Sequence, residues 1–414
     1  MVLPDFLEIA HCRSCGSSRL VDILDLGDQP LANTLVKDPD GRAVRYPLRT
    51  AFCPDCSLFQ LKETIRKEIL FDRYVWVTGT SAAAKEYSRL FFTGVLDQIR
   101  IAPDDLVVEI ASNDGTMLRP FVSAGFPVLG VEPAKNIAQM ADAAGVRTLC
   151  AYWDKETAKR IVRSHGHVKV IIARNVIPHV SDLQEVIAGI HDALDEDGVG
   201  IIEFHDGGII LKDLHYDSIY HEHLCYFTVK SITELLGRHG FHAFHIDPSP
   251  ISGGSKVIYF SKKVRAPDET YIRAAAAEDD SGCNDLKAWE GFAERCFRHK
   301  EETLELISGF KDKTIVGFGS SARSSTYLNF CGLNVNQIRA IIDNNPLKQG
   351  FFAAGSGIPI VSKEKGMALK PELIFILAWN FKDEIMRECR DMGFQGRYLL
   401  PFPRAPRLAA CEVA

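Results

Sequence analysis

"LVVEIASNDGTMLRPF", residues 106–121, reads as an apolar strand ending in an acid, a tight polar turn at Gly115, and the start of a helix. Further apolar runs follow, "VLGVE" (128–132), "VKVIIA" (168–173) and "GVGIIEF" (198–204), separated by segments with helical spacing. Strands alternating with helices predict a doubly wound α/β sheet. Such a sheet binds nucleotide-like ligands at the carboxyl ends of its strands, where Glu109 and Gly115 fall. Upstream, "AAAKEYSRLFFTGVLDQI" from residue 82 has helical spacing. Downstream, "SITELLGRHGF" predicts a helix with Gly240 at C′, and "HAFHID" and "SKVIYFSKK" predict strands that close the sheet antiparallel.

The 414 residues are too many for one core. Residues 268–308, rich in Ala, Glu and Lys, read as a helical connector, and a second α/β pattern follows: "KTIVGFG" (313–319), "IRAIID" (338–343), "GIPIV" (357–361) and "PELIFILAW" (371–379). Residues 1–65 read as irregular and turn-rich, a module in need of a staple. The expected class is α/β, divided into a small N-terminal module (1–75), a first α/β domain (76–267), the connector (268–308) and a second α/β domain (309–414).

The formal net charge of −6 and scattered basic residues predict no nucleic-acid partner. No apolar run approaches the ~20 residues of a membrane span, and "MVLPDFLEIAHCRSC" lacks the pattern of a signal peptide, so a cytoplasmic protein without a membrane partner is expected. A monomer is the default expectation, because the domains can bury one another. Most of the 11 cysteines sit singly in apolar context, as suits a reducing compartment. Cys12-x2-Cys15 and Cys53-x2-Cys56 are different: two knuckles of thiolates at that spacing suit tetrahedral Zn²⁺, and with no position left open the zinc is structural. Two reduced dithiols without metal are the alternative.

The turn after Glu109 lacks the G-x-G-x-x-G spacing that lets backbone approach a pyrophosphate, which disfavours NAD. S-adenosylmethionine carries no phosphate and fits better. Glu109 then faces the cofactor's cationic part, Glu132 accepts from two ribose hydroxyls, and Asn113, Asp114, Gly115 and Asn175 complete the expected contacts. A structural turn with a coincidental acid is the alternative. His179 in "ARNVIPHVSDL" is either a packing histidine or a group facing substrate, and Tyr152 and Trp153 either flank an adenine or belong to the core.

"SIYHEHLCYFT" (218–228) brings together Tyr220, His221, Glu222 and His223, which suits a metal site, a proton relay or packing. With "LGDQPLANTL" (26–35), "VEIASNDG" (108–115), "GGS" (253–255), "VGFGSSARSSTYLNF" (316–330) and "LAWNF" (377–381), it resembles the S-adenosylmethionine-dependent C-methyltransferases of nucleotide-linked deoxysugars. The resemblance implies a zinc-bearing N-terminal domain, a class I methyltransferase domain and a C-terminal Rossmann-like domain, with the sugar nucleotide (dTDP- or GDP-linked) lying between domains. It implies methylation at C3 of a 4-keto-6-deoxysugar, with His223 as base, Tyr220 donating to the enolate oxygen and Glu222 orienting either the base or the sugar. His221 is expected to pack. Tyr74 and Trp76 match a Tyr-rich loop of the family, with Trp76 where a second Tyr is expected. The chain departs from the pattern at His205 and Asp206 (usually Pro-Tyr), Ser252 (usually His) and Arg174 (usually Asn). His205 and Ser252 are expected to line the sugar pocket.

In the second α/β domain, Gly317-x-Gly319-x-x-Ala322 opens onto a helix, and Asp343 ends the next strand. The resemblance implies that this turn holds the substrate diphosphate, with Gly319, Ser321, Arg323 and Asp343 as contacts. NAD bound here, as in a nucleotide-sugar dehydrogenase or epimerase, is one alternative function. An O- or N-methyltransferase on the same scaffold is another.

Overall fold

The computed structural model describes residues 4–38, 43–71, 77–80 and 82–411. Its central sheet has seven strands in the order His242–Ser249, Ser255–Ser261, Leu194–His205, Val168–Arg174, Val107–Ile110, Val128–Val131 and Thr148–Leu149. The last five run parallel, while Ser255–Ser261 lies antiparallel to both of its neighbours. This is the class I methyltransferase order. Val107–Ile110 is buried along its whole length because helices cover both sheet faces, which explains its unbroken apolar run. Phe91 and Val95 of helix Ala82–Gln98 join the core on one face, while Ile187 and Ile190 of Leu183–Ala193 are buried in the core on the other.

A second sheet of six strands follows the order Ile360–Val361, Ala340–Ile342, Ile315–Phe318, Leu373–Ile376, Arg397–Leu400 and Arg407–Ala410. All its pairings are parallel except the last.

The N-terminal module departs from the irregular chain expected of it. Val21–Pro30 and Arg45–Phe52 are long antiparallel strands, joined by Phe59–Leu61 and then by Cys225–Tyr226 from the central domain. Leu24 and Leu26 alternate inward between Asp22, Asp25 and Asp28, so the run looks polar although one face is buried. Leu35–Val36 also pairs with Phe352–Ala353 of the C-terminal domain.

The stretch expected as a connector is two helices, Glu269–Ser281 and Leu286–Ser308. The second touches every other part of the chain. Trp289 stacks on Phe59 with ring centroids 3.9 Å apart, Arg295 donates to the Leu211 carbonyl, and His299 donates to the Pro401 carbonyl. Among the described residues no helix is long and apolar enough to cross a membrane.

Candidate functional site

At the carboxyl end of Val107–Ile110 the chain takes positive φ at Ala111 (52°), Asn113 (50°) and Gly115 (74°). A Cβ on Gly115 would lie 2.8 Å from the Val146 side chain, so only glycine fits this turn. The carboxylate of Glu132 accepts the Asn113 N–H at 3.0 Å and the Ala134 N–H at 2.9 Å. Its oxygens keep lone pairs for two further hydroxyls. Glu109 is 3 % exposed, and its Oε2 has no partner among the described residues. Burial pushes its carboxyl up to about 8, with Asp114, Glu132 and Glu203 adding to the effect and Arg174 opposing it. The hydroxyls of Ser112 and Thr116 are likewise buried without partners among the described residues. A pocket with a lone buried acid and a carboxylate set for a ribose fits S-adenosylmethionine.

Thr78 N–H donates to Asn113 Oδ1 at 2.9 Å and Gly79 N–H to Asp114 Oδ2 at 3.2 Å, which ties the segment after Tyr74 and Trp76 to this turn. Tyr74 and Trp76 themselves lie outside the described residues. Trp153 belongs to the core, donating to the Val186 carbonyl, whereas Tyr152 is 44 % exposed. Arg174, on the neighbouring strand, pairs with the buried Glu203 at 2.5 Å and lies over the Tyr87 ring.

At the carboxyl ends of Val168–Arg174 and Leu194–His205, in the same sheet, is a cavity lined by Asn175, His179, His205, Tyr220, His223, Ser252 and Arg323, among others. His223 donates from Nδ1 to the Ser218 carbonyl at 2.8 Å. That fixes the tautomer and leaves a lone pair on Nε2, which receives the Tyr220 hydroxyl at 2.7 Å. Burial, with neighbouring His179 and Arg323, holds His223 well below the ordinary imidazole range and therefore neutral. His179 sits edge-on to His223 with ring centroids 4.7 Å apart, and its Nδ1 is buried without a partner among the described residues; burial lowers its pKa to about 4. Asn175 has φ 49° and donates its N–H to the Glu203 carbonyl at 2.8 Å.

The neighbours of His223 turn elsewhere. Glu222 is buried and accepts from Asn33 Nδ2 at 2.7 Å, and His221 donates from Nε2 to the Pro47 carbonyl at 3.1 Å. Both partners come from the N-terminal module, as does the strand that pairs with Cys225 and Tyr226. Asn33 lies inside "LGDQPLANTL", and nothing local in the sequence shows that this loop meets residue 222.

Arg323, expected at the diphosphate turn, reaches into the same cavity. Its Nε and Nη2 grip Asp217 at 3.0 and 2.9 Å, Nη1 donates to the Ser252 carbonyl at 3.0 Å, and Trp379 lies under the guanidinium and donates to Asp217 at 2.8 Å. Ser252 takes the left-handed conformation, φ 59°. Asp217, Trp379 and His215 carry no individual signal in the sequence. At the glycine turn, Gly319 has φ 99°, the Ser321 hydroxyl caps its own helix by accepting from Ser324 N–H at 3.2 Å, and Asp343 accepts the Ser320 N–H at 2.9 Å with Lys348 3.6 Å away.

The sulfurs of Cys12, Cys15, Cys53 and Cys56 lie within 4.8 Å of one another, and all four cysteines are free. Tetrahedral zinc with Zn–S near 2.3 Å sets its sulfurs about 3.8 Å apart, so the cluster fits the metal. Gln60 Nε2 donates to Cys12 Sγ at 3.2 Å, orienting one ligand from outside.

Comparison with known proteins agrees with this arrangement. A zinc-binding-domain family matches residues 12–71, a methyltransferase-domain family 81–246, and a C-methyltransferase C-terminal-domain family 250–403. The C-methyltransferase NovU of Streptomyces niveus is 32% identical over 414 residues, 98% of this chain and 98% of its own. Two solved structures are more distant. Magnesium protoporphyrin IX methyltransferase from Synechocystis PCC 6803 with bound SAM is 13% identical at TM-score 0.33, over 43% of this chain and 79% of its own. The PH0226 protein of Pyrococcus horikoshii OT3 is 14% identical at TM-score 0.36, over 47% and 99%. Likenesses of that size carry no functional weight. With zinc module, methyltransferase domain and C-terminal domain matched in order, and a relative alike from end to end, this chain belongs to the zinc-bearing, S-adenosylmethionine-dependent sugar C-methyltransferase family.

Proposed function

We propose that the enzyme methylates C3 of a nucleoside-diphosphate 4-keto-6-deoxysugar, dTDP- or GDP-linked, through an enolate. The observation that carries this reading is the Tyr220–His223 pair, whose imidazole has its Nδ1 hydrogen held by the Ser218 carbonyl and its Nε2 lone pair facing a hydroxyl donor. A C3–H beside a ketone needs a positioned base and a donor at the carbonyl oxygen. His223 Nε2 takes the C3 proton, and the Ser218 carbonyl stabilises the resulting imidazolium. Tyr220, released from Nε2, donates to O4 as negative charge develops there.

His223 is a weak base when buried and neutral, but the proton it takes leaves an enolate beside it, and opposite charges attract strongly in a water-poor cavity. Bound S-adenosylmethionine supplies the electrophilic methyl group. Glu109 and Glu132 hold that cofactor against the cavity. Glu222, hydrogen-bonded by Asn33, keeps the base loop seated on the N-terminal module.

The test is methyl transfer from S-adenosylmethionine labelled with ¹³C in its methyl group, read by NMR on 4-keto and matched 4-hydroxy sugar nucleotides. Label on C3 of the ketone, with none on the 4-hydroxy compound, is expected. A methyl group on oxygen contradicts the reading.

A further inference from the structure

Two imidazoles beside the base remain unexplained by the chemistry above. His205 ends strand Leu194–His205, opposite Ser255. It lines the cavity, is 8 % exposed, and stands beside His215, which is 1 % exposed. The rings are stacked, with centroids 5.9 Å apart and planes at 28°, and Trp379 closes over His215 at 4.6 Å. Gly253 packs closely against them with φ 84°, and a Cβ there would lie 3.0 Å from Trp379, tighter than an ordinary contact. His205 Nε2 and both nitrogens of His215 are buried without a partner among the described residues. A buried polar atom left unsatisfied costs about 1–3 kcal/mol, so the orphan Nε2 of His205, on the cavity wall, points to a ligand that satisfies it.

The chemistry of that ligand can be narrowed. Among the described residues, the only cluster with metal-ligand spacing is the cysteine one. Burial and the nearby Arg323 cation hold both rings unprotonated, so each offers one N–H and one lone pair. A hydroxyl, which donates and accepts, complements such a surface. An ammonium only donates, and it would bring a second cation beside Arg323.

We propose that His205, supported by His215, is a specificity-determining residue that reads a hydroxyl on C3 of the sugar, making the substrate a 3-hydroxy rather than a 3-amino or 3-deoxy 4-keto-6-deoxysugar nucleotide. This rests on the proposed function, because it places the reacting carbon within reach of both His223 and His205. His215 acts through His205 and is a positioning residue.

The experiment compares kcat/KM for 3-hydroxy, 3-amino and 3-deoxy 4-keto sugar nucleotides in the full-length zinc-loaded enzyme and in His205→Phe, His205→Asn and His215→Phe. Zinc content and S-adenosylmethionine affinity serve as folding controls. A site built to hydrogen-bond a hydroxyl rejects the analogue that lacks it by ~100-fold or more. The wild type is expected to prefer the 3-hydroxy sugar by that margin over both others. The hydroxy-to-deoxy ratio collapses toward one in His205→Phe, is partly restored in His205→Asn, and falls less in His215→Phe. Equal use of 3-hydroxy and 3-deoxy sugars by the wild type, or an unchanged ratio in a folded His205→Phe, overturns the assignment. Absence of methylation on every 4-keto sugar overturns the reading beneath it, and the assignment with it.

Discussion

The two Rossmann-like sheets end their first strands in similar turns and use them differently. After Val107–Ile110, Glu109 Oε2 and the hydroxyls of Ser112 and Thr116 are buried without partners among the described residues. After Ile315–Phe318, Ser321 caps its own helix and Asp343 takes the Ser320 N–H, both within the domain. The first turn is arranged for a ligand. The second positions a helix whose Arg323 reaches across to Asp217 in the neighbouring domain. A glycine turn at the end of a strand therefore says little about ligand binding until its hydrogen bonds are followed.

The sharpest way to separate the two halves of the site acts on neither turn. Cys53→Ser removes a zinc ligand, and because structural zinc supplies folding free energy, the module that seats the loop of His221, Glu222 and His223 is expected to lose its order. Methylation is expected to fall below detection, while S-adenosylmethionine affinity, measured by calorimetry, drops less than about tenfold, as suits a binding turn built only from the central domain. Comparable loss of both would mean that the central turn depends on the module too. His223→Gln is next: loss of a general base costs about 10²–10⁴-fold in kcat, with donor affinity unchanged.

Glu109→Gln strikes the open turn directly. Hydrogen bonds to charged groups contribute about 1.5–3 kcal/mol, so donor affinity should weaken roughly 10- to 100-fold. The same carboxyl gives a pH dependence. Pushed up to about 8, Glu109 is protonated in the free enzyme below that pH and must ionise to hold a cation. Donor affinity therefore declines as pH falls below about 8, by at most about tenfold per unit, and binding releases protons. Calorimetry in buffers of different ionisation heat measures this, and a flat profile would show that Glu109 stays ionised throughout. The smallest effect belongs to the closed turn. Ser321→Ala loses an N-cap, about 1 kcal/mol of stability in a denaturant titration, with KM for the sugar nucleotide unchanged; a raised KM would show that the Ser321 hydroxyl contacts the substrate diphosphate.

What the sequence disclosed follows from where burial is local. The strands flanking Glu109 are covered on both faces by elements near them in the chain, so their apolar runs stand out. The two-residue strand Thr148–Leu149 has too little length to show. The sheet of the N-terminal module is hidden in the sequence because Asp22, Asp25 and Asp28 interrupt its first strand, and because its fourth strand, Cys225–Tyr226, and the Trp289 ring stacked on Phe59 come from far along the chain. Within the site, the cysteine knuckles are legible from spacing alone, while the roles proposed for Tyr220 and His223 come from resemblance and not from any local pattern. In the turn that joins them, His223 N–H donates to the Tyr220 carbonyl at 2.8 Å, which brings the two side chains together and turns Glu222 toward Asn33. The direction of Arg323 is set by Asp217, 106 residues earlier, and no local pattern records it.

The central claim is that His223 removes a proton from carbon before the methyl group moves. It is tested most directly by incubating a 4-keto-6-deoxysugar nucleotide with the enzyme in D₂O in the absence of S-adenosylmethionine and following C3–H by NMR. The account predicts enzyme-dependent loss of that signal, abolished in His223→Gln. Retention of the C3 hydrogen by a wild-type enzyme that methylates the same substrate once the donor and its analogues are supplied in turn would contradict it.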